Sequence, residues 1–167
     1  ANNVALAALN ASIDALSIAL ATLAARSRGG VFSISRAVVA AADYAAGDIL
    51  SNSVTASTST PWKLSPARAN GEPFLITAIR LRSNDNALTF TPRLHFFRVE
   101  PKSSQVVDNG PRAFVDADRP NYLGYVDLPA MAGLSGMSES FTDDVRKVIT
   151  PDAKDVFIIL ETLTIEA

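Results

Sequence analysis

Residues 4–25 carry an unbroken heptad seam, and no other feature of the chain restricts its fold as tightly. Leu6, Leu9, Ile13, Leu16, Leu20 and Leu23 are spaced three, four, three, four and three, the a/d pattern of a coiled coil. A stripe two positions wide seeks a partner helix rather than a globular core. The spacing predicts an α-helix over residues 1–28 that serves oligomerisation or docking, with those six side chains as its interface.

The flanks refine this. With Leu6 at a, the e and g positions are Ala5, Asn10, Ser12, Ser17, Ala19 and Ala24, so no charged pair selects a partner. Small flanking side chains let helices approach closely, which favours three or more strands. The outer face is also poor in charge, with Ala7, Ala8, Ala11, Ala15, Ala21 and Ala25 beside Val4 and Ile18. That face is expected to be covered by a second protein surface. At ~1.5 Å per residue the helix would be roughly 33 Å long.

Asn2 and Asn3 suit the N-cap, Arg26 and Arg28 complement the dipole at the other end, and Gly29-Gly30 supplies a cap and a joint. A signal peptide fits poorly, because no basic region precedes the apolar stretch. A membrane span fits poorly too, with Asn10, Ser12, Asp14 and Ser17 in its middle. The competing reading is an amphipathic helix folded back on its own domain.

Residues 31–167 leave room for one further domain of about 135 residues, enough for its own core. A net charge of −2 gives no general electrostatic case for nucleic acid. The absence of cysteine excludes disulfides and thiolate metal sites. Packing and oligomerisation must then supply stability, which suits assembly in a reducing cytoplasm.

After Gly30 the periodicity changes from helix to strand. A strand is expected over residues 31–39 around Phe32, Ile34 and Val38, then a turn at residues 43–48 leading into Ile49-Leu50. Residues 51–60 read as a polar edge strand or a surface loop. Residues 74–82 read as one strand with Leu75, Thr77, Ile79 and Leu81 on one face. After a turn at residues 83–86, residues 87–99 answer it as a hairpin, with Pro92 implying an edge or a bulge. A polar loop at 101–111 follows. Short strands are expected near 112–115, 122–128 and 145–149, a Gly/Ser/Met loop at 130–140, and a closing strand at 154–165 that is apolar on both faces. Seven to nine strands with frequent turns predict a mainly β fold, an antiparallel β-sandwich of jelly-roll type behind the N-terminal helix.

Motifs for chemistry are sparse. His95 is the sole histidine and no Gly-x-Ser-x-Gly elbow exists, so His95 reads as a residue on one face of a sheet, and no catalytic residue or cofactor site is assigned. Asp116 and Asp118, with Asp108, have spacing that metal loops use, but lack further oxygen ligands and the glycine of an EF-hand; they read as a solvated turn. Asp143-Asp144 reads as a turn. Arg80, Arg82, Arg93 and Arg98 could share a hairpin face, partly neutralised by Glu72, Asp85 and Glu100. Trp62, Tyr122 and Tyr125 are the aromatics available for a carbohydrate platform, although Trp62 between Pro61 and Lys63 reads better as an anchor of the Ser/Thr-rich segment.

Several stretches, taken in order, resemble a family of small structural proteins of tailed bacteriophages. They are Asp43-Tyr44-Ala45-Ala46-Gly47-Asp48-Ile49; residues 74–82 with their Ile-Thr-Ala-Ile-Arg-Leu core; Arg93-Leu94-His95-Phe96-Phe97; Val107-Asp108-Asn109-Gly110-Pro111; and Asp116-Ala117-Asp118 followed by Tyr122-Leu123-Gly124. The resemblance covers roughly residues 38–128 and leaves the N-terminal helix to the heptad argument. It implies a capsid decoration, cement or head-fibre protein of the virion, a β-sandwich and often a trimer, with no catalytic residue. The expected partners are further copies of the chain and the major capsid protein or another virion protein, with no nucleic acid and no membrane. The alternative is a receptor- or glycan-binding module at a tail or fibre tip.

Overall fold

Residues 156–162 read Val-Phe-Ile-Ile-Leu-Glu-Thr, a run whose β-branched and aromatic side chains suit a strand covered on both faces. The computed structural model describes residues 29–37, 44–85, 87–102 and 106–164, and this run lies at the heart of that part. The seam from Leu6 to Leu23 lies outside the described residues, as do Val38, Val39, Asp43, Asn86 and Ile165.

The fold is mainly β, and every strand pairing is antiparallel. Ten strands occur among the described residues: β1 (Ile49–Leu50), β2 (Trp62–Leu64), β3 (Phe74–Ile76), β4 (Ile79–Ser83), β5 (Pro92–Phe97), β6 (Tyr122–Asp127), β7 (Ala132–Leu134), β8 (Met137–Thr142), β9 (Lys147–Ile149) and β10 (Val156–Thr162). A 3-10 helix at Asp116–Asn121 leads into β6. The largest sheet runs β1-β10-β5-β6, with β2 pairing the first half of β10 beside β1. The other two sheets are β3-β9 and β4-β8-β7.

Alternation along β10 divides its side chains between two cores. Val156, Ile158 and Leu160 join Leu50, Leu94 and Phe96 on one face of the large sheet, and Leu81 of β4 and Ile149 of β9 belong to the same cluster, with Phe90, Leu128 and Met131. On the other face Ile159 packs with Ile49, Phe97 and Val106, flanked by Phe114, Tyr122 and Phe157. Each such side chain, fully buried, stabilises the fold by about 1.5–3 kcal/mol before ordering costs.

The turn into β1, the 51–60 loop, β6, β9 and β10 match the sequence reading. Other expectations are corrected. Residues 31–37 form no strand, and Val31, Phe32 and Ile34 are exposed there. Residues 74–82 form two strands, because Thr77-Ala78 interrupts the ladder and shifts its phase. Phe74 and Ile76 pack on the core before the break, Ile79 and Leu81 after it, while Leu75 faces out. The hairpin between this region and residues 87–99 does not form: β4 pairs β8, and β5 lies between β10 and β6. Pro92 therefore sits in a central strand, tolerated as its first residue, and the irregularity it suggested falls instead at Phe96/Phe97 opposite β6. Residues 130–140 form most of the β7-β8 hairpin rather than a loop, and residues 112–115 are not a strand.

Candidate functional site

The second face of the large sheet holds the buried His95 and Glu161 side chains. Arg93, His95 and Phe97 of β5 share that face with Glu161 of β10, because Ile159 pairs with His95 and Glu161 with Arg93. On β6, Tyr125 stands opposite His95 and Asp127 opposite Arg93.

His95 and Glu161 are almost sealed from solvent, 1% and 4% exposed. His95 Nε2 lies 2.6 Å from Glu161 Oε2, and Nδ1 lies 2.9 Å from the Tyr122 hydroxyl. Arg112 donates to the other Glu161 oxygen at 3.0 Å and stacks its guanidinium on Phe114, 4.6 Å from the ring centre. Burial is the main cause of a lowered His95 pKa; Glu161 opposes it, and Arg112 and Arg93 add to the lowering. Burial pushes the Glu161 carboxyl up, but hydrogen bonds from His95 and Arg112 more than reverse this and hold it below the ordinary carboxylate value. Burial raises the Tyr122 pKa, so its hydroxyl keeps its proton. A neutral His95 donates from Nε2 to the Glu161 carboxylate and accepts at Nδ1 from Tyr122, and Arg112 balances the one buried charge.

A carboxylate, an imidazole and a hydroxyl in line resemble a proton relay, but burial keeps any large ligand from the ring. What the cluster does is tie β10, β5 and β6 to the segment carrying Arg112 and Phe114. A second anchor holds the chain just before that segment. Asp108 accepts from the Tyr44 hydroxyl at 3.0 and 3.1 Å and from the Ser51 backbone N–H at 2.7 Å. Asn109 donates its backbone N–H to Ile49 at 2.9 Å, and Ile49 donates to Gly110 at 3.0 Å.

The residues singled out in the sequence separate. Asp116 is exposed and pairs with Arg119 at 3.0 Å, whereas Asp118 is buried and accepts the Lys102 backbone N–H at 2.8 Å. The turn is thus solvated on one side only, and no group of three metal-ligating side chains occurs among the described residues. The four arginines form no common patch: Arg80 and Arg82 share Glu139 at 3.7 and 2.7 Å, Arg93 takes Asp127, and Arg98 reaches Asp152 at 3.5 Å. Trp62 pairs with Ile158 and packs toward the first core, so it lies on the opposite face of the sheet from Tyr122 and Tyr125. These three aromatics cannot share one sugar platform. Tyr125 is half exposed, but the Arg93 guanidinium stands 4.0 Å from its ring centre.

No protein-family model, curated protein or solved structure matches this chain. Its function must therefore be read from its own surfaces. Among the described residues no helix is long and apolar enough to cross a membrane. Exposed apolar side chains stand on each of the two smaller sheets. There Leu75 and Val148 are direct cross-strand partners, 54% and 64% exposed. Phe141 of β8 and Leu134 of β7 are also exposed, and Arg80 lies over the Phe141 ring at 4.6 Å. Sequence reading missed this face because β8 inverts the usual pattern: its serines, Ser138 and Ser140, point inward and Phe141 points out.

Proposed function

We propose that this chain is a non-enzymatic structural protein of a tailed-phage virion, which self-associates and binds the capsid surface as a decoration, cement or head-fibre protein. The heptad seam of residues 4–25 carries this reading, since its uncharged flanks suit three close-packed helices and its apolar back suits a further protein surface. In this reading the β-rich part is a jelly-roll-like sandwich that projects from or clamps the particle. The shared cluster of Leu81 and Ile149 with Leu94 and Ile158 supports two sheets closing on one core.

The test is native mass by light scattering on the full chain and on Leu16→Asp, with circular dichroism to check that the sheets persist, followed by cosedimentation with purified capsids. A trimer that dissociates in the variant while the full chain sediments with capsids is the expected result. Unchanged native mass in Leu16→Asp would refute the seam, and failure to sediment would refute the capsid partner.

A further inference from the structure

The sequence places asparagine before glycine twice, at Asn70-Gly71 and at Asn109-Gly110. In such a pair the side-chain amide is open to attack by the next backbone nitrogen, because glycine has no Cβ to obstruct the approach. Attack also needs rotation about the asparagine Cα–C bond, so the local backbone must be able to open. The fold treats the two pairs differently.

Asn109 is held on both sides. Its φ is +52°. Its backbone N–H donates to the Ile49 carbonyl at 2.9 Å, and the Gly110 carbonyl accepts from the Ile49 N–H at 3.0 Å. Asp108, just before it, accepts from Tyr44 and Ser51, and Pro111, just after it, bridges to Asp48. Rotation at Asn109 would break these bonds together. Asn70 instead stands exposed in a surface turn. Glu72 donates its N–H to the Ala69 carbonyl at 3.2 Å, and Gly71 has φ +71°, the sign a type II turn requires at its third residue. Neither the Asn70 side chain nor the Gly71 N–H has a hydrogen-bond partner among the described residues. Other asparagines are guarded. The Asn52 amide accepts from the Thr60 N–H and donates to the Thr58 carbonyl. The N–H after Asn84 is taken by the Ser83 hydroxyl, and the N–H after Asn121 by the Arg119 carbonyl.

We propose that Asn70 is a site of spontaneous deamidation, with water as the co-reactant, and that the fold protects Asn109 from the same reaction. The Gly71 nitrogen gives up its proton and attacks Asn70 Cγ. A C–N bond forms, the Cγ–Nδ2 bond breaks, and ammonia leaves with the proton. Water then opens the resulting cyclic imide at either carbonyl, giving aspartate or isoaspartate. No oxidant or reductant is needed. The product adds a carboxylate two residues before Glu72 and, as isoaspartate, one more backbone carbon in the turn that leads into β3. This chemistry is independent of the virion reading above.

The test is peptide mapping by mass spectrometry after the full chain is held at mildly alkaline pH in water enriched in oxygen-18, once folded and once in urea. In the folded chain Asn70 is expected to deamidate at least tenfold faster than Asn109. Its product should carry one heavy oxygen and accept a methyl group from an isoaspartyl methyltransferase. In urea, where no fold distinguishes the two pairs, their rates should converge. An Asn70 amide that survives folded incubation, whatever happens in urea, would overturn the site. Equal rates at Asn70 and Asn109 in the folded chain would overturn protection by the Ile49 and Asp108 bonds. A product without heavy oxygen would overturn hydrolysis through the cyclic imide.

Discussion

The Tyr44 hydroxyl lies 3.0 and 3.1 Å from the two carboxylate oxygens of Asp108, sixty-four residues away in the chain. The Ser51 backbone N–H adds a third donor at 2.7 Å. Burial, the largest influence, raises the Asp108 pKa although both donors oppose it, so the carboxylate depends on these bonds. Tyr44→Phe removes one donor without removing the ring. We expect it to lower unfolding free energy in urea by about 1–3 kcal/mol, the cost of an under-satisfied buried carboxylate. Asp108→Ala should cost at least as much, since it removes the acceptor of a hydroxyl and of a backbone N–H together. Unfolding midpoints equal to that of the parent would show that the clamp contributes nothing.

His95 makes stability fall in mild acid. The unfolded chain binds a histidine proton near pH 6.5, whereas burial lowers the value in the fold. Between the two values the unfolded state holds more protons, so acid favours unfolding. The contribution is complete above about pH 6.5 and is lost as pH falls through the folded value. Glu161 acts in the same sense lower down: burial raises it, the bonds from His95 and Arg112 prevail, and its contribution is lost below its unfolded value of 4.5. Asp108, raised above 3.8 chiefly by burial, has the opposite sign and is most favourable at the acid end. The chain has one histidine, so His95→Gln isolates its part. Urea midpoints measured from pH 8 to pH 5 should fall less steeply in the variant than in the parent. Identical slopes would assign the acid sensitivity elsewhere.

Strand existence was legible where both faces of a segment are apolar, and partnering was not. The residues 156–162 announce a doubly covered strand because Phe157, Ile159 and Val156, Ile158 serve different cores. The pairing of β4 with β8 was hidden because β8 buries Ser138 and Ser140 and exposes Phe141, so its polarity reads backwards. The break at Thr77-Ala78 was hidden because both halves are apolar and only the packing phase changes. The His95 partners came from 27 and 66 residues away, at Tyr122 and Glu161. No local spacing announces such a cluster. Arg112 was read as part of a strand, whereas it closes the network from a non-strand segment.

Gly124 occupies a position that only glycine fills without strain. Its φ is +91°, and it stands opposite Phe96 at the irregularity between Phe96 and Phe97. A Cβ there would also meet Lys147 Nζ at 2.9 Å. The lysine end is flexible and can move, so the backbone decides the cost. Gly124→Ala should lower stability by roughly 1–3 kcal/mol, and adding Lys147→Ala should restore little of it. Thermal unfolding of the single and double variants checks this. Full recovery in the double variant would mean that the contact, not the dihedral, sets the penalty.

Ser138 and Ser140 look equivalent in sequence and point to the same interior, yet opposite outcomes are expected on truncation. Both are buried, 0% and 2% exposed. The Ser140 hydroxyl donates to the Pro129 carbonyl at 2.5 Å, while the Ser138 hydroxyl has no hydrogen-bond partner among the described residues. A buried hydroxyl left unpaired opposes folding, and removing it recovers that desolvation cost. Ser138→Ala should therefore be neutral or stabilising by up to about 1 kcal/mol, whereas Ser140→Ala should destabilise by about 0.5–1.5 kcal/mol because a carbonyl loses its donor. Each substitution removes one hydroxyl, so the change in side-chain volume cancels in the comparison. Paired urea titrations of the two variants read the difference directly. If Ser138→Ala proved as costly as Ser140→Ala, the Ser138 hydroxyl would have to find a donor or acceptor in the folded protein, and the inward face of β8 would be more polar than its packing implies.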